Sequence, residues 1–113
     1  MTSYVDKLKK EIRAVKILPE DEPKGGALDN DTLIDEVPVD LRQLYVLKKR
    51  ALKAHEEALR FRKFNEVIFL LAWRKEMLNG MFELALRDRF PDFTEYALDV
   101  CVGWKVFMRG EED

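Results

Sequence analysis

From Asp40 to Phe90 the chain contains no proline and a single glycine, Gly80. Proline is the residue that most reliably ends a helix, so its absence over this span leaves helix as the economical reading. The first half of the span is charged with a thin apolar stripe. Leu41, Leu44, Tyr45, Ala51, Leu52, His55, Ala58 and Leu59 fall on one side at 100° per residue. The second half, from Phe61 through Phe64, Val67–Leu71 and Trp73, is apolar in every direction. A helix of that kind needs cover on all sides, from its own chain or from another.

One uninterrupted helix over the span would reach about 75 Å at about 1.5 Å per residue, far beyond the diameter of a domain this size. The sequence therefore predicts a break at Asn79–Gly80, the strongest C-capping signal available, with Asn65 as the softer alternative. Helices are expected near 3–17, 40–78, 80–89 and 92–109. Ser3 caps the first, and Asp40 with Gln43 forms the capping pair of the second. Phe93, Ala97, Val100, Cys101, Trp104, Phe107 and Met108 supply the helical face of the last. A strand at Val67–Leu71 is the minor alternative. The expected fold class is all-α: a helical bundle of about four helices per chain, with one or two long ones, completed by oligomerisation.

Pro19 to Pro38 interrupts this helical composition. It holds three prolines, the Gly25–Gly26 pair and many acids, which is linker composition, expected on the surface without regular structure over 20–31. Leu33, Ile34 and Val37 are its apolar exception, read as a short turn docked on an apolar surface. The organisation is thus an N-terminal helix (1–18), an acidic linker (19–39), a helical core (40–110) and an acidic tail (111–113).

Charge is segregated along the chain. Residues 1–18 hold five bases and two acids, 19–40 one base and eight acids, 41–63 eight bases and two acids, and 64–113 six bases and ten acids. The net charge is only −2, so no global attraction to polyanions follows. Within the basic segment, Arg42, Lys49, Lys53 and Arg60 recur on one helix flank and are the candidate nucleic-acid contacts, interrupted by Glu56 and Glu57.

Catalytic residue types are scarce. His55, the only histidine, has no acid three residues before it and no second histidine to share a metal. Cys101, the only cysteine, lies among apolar neighbours and suits a reducing compartment. Gly25–Gly26 lacks the spacing of a phosphate loop. No enzyme activity, cofactor or metal is expected. The start MTSYVDKLKK does not read as a secretory signal. The longest apolar run, Val67–Trp73, is far short of the roughly 20 residues of a membrane span. A cytoplasmic chain without a membrane partner is expected.

The functional expectation is a small interaction, adaptor or structural module acting as a homodimer or higher oligomer, possessing also the capacity to bind another protein. The expected interface is Phe64, Phe69, Leu70, Trp73, Met77 and Met81. Two alternatives stand beside it: a nucleic-acid-binding regulator using the basic flank 42–63, and a bundle with a small-molecule pocket lined by Phe64, Phe69, Trp73, Met77, Met81 and Phe82.

Overall fold

A computed structural model describes residues 3–24, 29–30, 32–61, 64–90 and 101–108. Within them the chain forms three helices, α1 (Tyr4–Ala14), α2 (Val39–Arg60) and α3 (Asn65–Arg89). A small antiparallel sheet joins β1 (Thr32–Glu36), β2 (Cys101–Val102) and β3 (Lys105–Met108) in the order β1-β3-β2. The molecule is mostly helical, but the sheet makes it a helical domain with a β-element rather than all-α.

Ser3 caps α1 as the sequence predicts, its hydroxyl accepting from the Asp6 amide at 3.1 Å. Leu8 and Ile12, four residues apart, are the buried side of this helix. The helix ends at Ala14, three residues short of the expected bound: Val15 and Leu18 are extended, 15–18 carry no regular element, and a single 3-10 turn follows at Pro19–Asp21. That turn is pinned, so this part of the acidic linker carries regular structure. The Leu18 amide donates to the Asp21 carboxylate, which also receives Arg50 of α2 at 2.8 Å.

The predicted capping of α2 by Asp40 is not what forms. The helix starts at Val39 behind Pro38, and no side chain caps it. Gln43 instead donates to the carbonyls of Arg13 and Val15, tying α2 to the end of α1. Leu41, Leu44, Ala51 and Ala58 of the stripe are buried, and so are Val46 and Leu47 outside it, whereas Leu59 at its end is exposed.

The long helical run breaks between Arg60 and Asn65, the softer of the two expected positions, and not at Asn79–Gly80. Phe61 closes α2 and Phe64 stands at the N-cap of α3 with no side-chain cap. Helix α3 then runs through Val67–Leu71 and through Gly80 without interruption. A glycine inside a helix costs roughly 1 kcal/mol relative to alanine. That is small beside what is gained when α3 folds back and buries Leu78, Phe82 and Leu86 against α2.

The expected helix 92–109 is overturned over its described part. Residues 101–108 form a hairpin, while 91–100 lie outside the described residues. Gly103 and Trp104 both take positive φ, 55° and 62°, which is the two-residue turn that matches strand twist. Lys105–Met108 pairs with β1, with a bulge between Leu33 and Asp35. The segment read as a turn at Leu33, Ile34 and Val37 is therefore an edge strand. Val37 does dock, buried just beyond the strand, but Leu33 faces outward.

Candidate self-association surface

Helix α3 has two apolar sides. The inner one, Leu78, Phe82 and Leu86, recurs at intervals of four and belongs to the core. The outer one follows the alternating spacing of four and three residues that marks a helix-pairing face. Its members are Leu70, Trp73, Met77, Gly80 and Leu84. Exposure decides which of them lack cover: Leu70 is 59% exposed, Trp73 46% and Leu84 71%. Phe69, beside them, is 71% exposed, and Phe64 at the helix start 80%.

Of the six expected interface residues, the structure thus leaves Phe64, Phe69, Leu70 and Trp73 open to solvent. Met77 and Met81 are half-buried against the chain's own core. Leu84 and Gly80 complete the row and were missed by sequence reasoning. The signal was present in the four-three spacing. Reading the segment as apolar all round hid the fact that two distinct rows run along it.

The edge of this surface is fixed by α1. Tyr4 stacks on Trp73 with ring centroids 4.6 Å apart and planes 17° from parallel. Next to Trp73, Arg74 donates to the carboxylate of Glu11, two turns along α1 from Tyr4. That hydrogen bond holds the Glu11 carboxyl below its ordinary value and raises Arg74, with burial opposing both shifts. Trp73 is therefore held in place by α1, with almost half of it still in water. Gly80 has nothing within 4 Å of where a Cβ would stand, so the surface dips beside it.

The basic flank of α2 is less free than its spacing suggests. Arg42 turns inward, its Nε donating to the Val37 carbonyl at 2.6 Å while its guanidinium lies 5.8 Å over the Trp104 ring. Lys49 sits over Tyr45, and Arg60 over Phe61. Lys53 is exposed. The four share a face, but three of them rest against aromatic rings of their own chain.

His55 is half-buried on α2, and Cys101 lies in β2. Among the described residues no group of three or more His, Cys, Asp or Glu is placed to hold a metal ion. No helix among them is long and apolar enough to cross a membrane. A recess of about 230 Å³ lies between α2 and α3, lined by Lys48, Leu52, Lys75, Glu76 and Asn79. A second recess, of about 450 Å³, is lined by Pro38, Asp40, Leu41, Ala85, Asp88 and Arg89. The expected pocket residues Phe64, Phe69, Trp73, Met77, Met81 and Phe82 line neither of the two.

No family model matches this chain, and neither a curated protein nor a solved structure does.

Proposed function

We propose that this chain is a small helical interaction module that works as a homo-oligomer, most simply a two-fold dimer, through the outer face of α3. The observation that carries the reading is the exposed row Leu70, Trp73 and Leu84 with Phe69 beside it. Each such side chain left in water forgoes roughly 1.5–3 kcal/mol of burial. Contiguous apolar surface of this kind is uncommon on monomers and marks association sites. Cyclic two-fold dimers are the commonest way to cover it with a single gene product.

Shape agrees with this reading. The radius of gyration is 15.6 Å, against about 13 Å for a compact domain of this length. The α2–α3 pair offers a long flank rather than a closed sphere. Sedimentation velocity over a dilution series tests the proposal: the sedimentation coefficient should rise with concentration from a monomer to a dimer value. A constant monomer value up to high micromolar concentration would overturn it.

Nucleic-acid binding ranks second, supported by the shared face of Lys49, Lys53 and Arg60. Phosphate contacts give affinity that falls steeply with salt. Retention of a duplex at nanomolar affinity in physiological salt would reverse this ranking.

A further inference from the structure

If the outer face of α3 is the dimer interface, the residues along it also select a direction. We infer that two copies pair their α3 helices antiparallel, with the two-fold axis beside Met77 and Trp73 of each copy seated against Gly80 of the other. The inference rests on the self-association reading above and goes beyond it by fixing the partner's orientation.

Two independent features of the row lead there. The first is size. Trp73 is the bulkiest residue of the outer row and Gly80 the smallest, and they stand seven residues apart, on either side of Met77. The glycine leaves open space where any other residue would place a Cβ, and glycine is where another structural element can approach most closely. A parallel pair would set indole against indole and leave the two glycines facing each other across a gap. An antiparallel pair about Met77 puts Leu70 level with Leu84 and each indole within one residue's rise, about 1.5 Å, of the glycine of the other copy.

The second is charge. Extending the same four-three spacing one step outward reaches Glu66 at the start of α3 and Arg87 near its end, both exposed. In a parallel pair Glu66 would face Glu66 and Arg87 would face Arg87. In the antiparallel pair Glu66 of each copy lies level with Arg87 of the other, closing both ends of the apolar row with opposite charges. The helix dipoles also oppose one another in that arrangement. Size and charge thus choose the same direction.

Two sets of variants test it. In a Cys101→Ser background, single cysteines are placed at Glu76→Cys, close to the proposed axis, and at Asp88→Cys, far from it. Both positions are exposed. Mild oxidation should link the first into covalent dimers and leave the second unlinked. In the antiparallel pair two Asp88 positions stand roughly 30 Å apart at about 1.5 Å rise per residue, beyond the reach of a disulfide. Efficient linking of both would mean parallel pairing and overturn the inference. Linking of neither, with dimer mass retained in sedimentation, would place the interface elsewhere and overturn it too. Monomer mass for the unsubstituted chain would instead defeat the underlying dimer reading.

The charge swap needs no change at Cys101. Glu66→Arg and Arg87→Glu should each weaken the dimer roughly fivefold or more, and the double variant should recover most of the loss. In a parallel pair the double variant recovers nothing, because like charges still face each other.

Discussion

Tyr4 lies flat on Trp73, ring centroids 4.6 Å apart and planes tilted by 17°. The stack joins the first turn of α1 to the middle of α3, and Arg74 with Glu11 joins the same two helices one step along. The indole is thereby fixed in one orientation at the edge of an uncovered apolar row. A fixed aromatic ring loses little further freedom on association, which favours its use as an anchor.

The inner and outer sides of α3 should respond to substitution in different ways. Leu78 is fully buried, so Leu78→Ala should destabilise the fold by about 2–5 kcal/mol in urea unfolding. Leu70 faces water in the single chain, so Leu70→Asp should keep the fold and its helical circular dichroism. It should weaken self-association by at least about tenfold, since each copy loses the burial of a leucine. Unfolding by Leu70→Asp with no prior change in mass would count against the assignment of the two faces.

Gly80 offers a sharper separation. Alanine at this open helical position should raise the stability of the dissociated chain by up to about 1 kcal/mol through helix propensity alone. If Trp73 of a second copy packs there, the same methyl group should weaken the dimer. Stability measured at low concentration and dimer affinity measured separately should move in opposite directions. A gain in both would show that nothing packs against Gly80.

Trp104 carries the sheet. It holds a positive φ that a bulky side chain rarely adopts. Its ring is buried, edge-on to Tyr45 at 5.6 Å, and its carbonyl accepts from the Val37 amide at 2.7 Å. Trp104→Ala should therefore cost about 3–5 kcal/mol in chemical unfolding, as for other buried aromatic rings. A change below about 1 kcal/mol would mean that the hairpin is not docked on α2.

Acid should loosen the two ties between helices and their neighbours. The Glu11 carboxyl is held below its ordinary value by its hydrogen bond from Arg74, and Asp21 below its own by the Leu18 amide and by Arg50. For a carboxyl whose folded value is depressed, the stabilisation is fully present above the unfolded value and lost as pH falls through the folded one. Melting temperature should thus hold from pH 7 to about 5 and fall below about 4.5. Glu11→Gln should lower the melting temperature at pH 7 and make its acid dependence shallower. An unchanged acid profile in Glu11→Gln would remove Glu11 from the account.

What the sequence made legible was mostly local. The Ser3 cap of α1 and the stripe of α2 follow from spacing within a few turns, and spacing is enough to define them. The break beside Asn65 is the softer of the two positions the sequence offers, because neither glycine nor proline marks it. It forms where α3 must fold back to bury Leu78, Phe82 and Leu86, which is a tertiary demand. The hairpin at 101–108 imitates a helical face, because Trp104, Phe107 and Met108 stand at i, i+3 and i+4. Its partner strand β1 is some seventy residues earlier in the chain, so the pairing that decides the outcome leaves no local trace. Of the residues expected at the candidate surface, Phe64, Phe69, Leu70 and Trp73 are exposed, whereas Met77 and Met81 turn partly inward, and Leu84 is an exposed member of the row that all-round apolarity does not single out.

Sedimentation equilibrium of the unsubstituted chain beside Leu70→Asp bears most directly on the central claim that the outer face of α3 joins two copies. The unsubstituted chain should give twice its 13.3 kDa mass at micromolar concentration, and Leu70→Asp a folded monomer. A folded monomer for both, or an undiminished dimer for the variant, would contradict it.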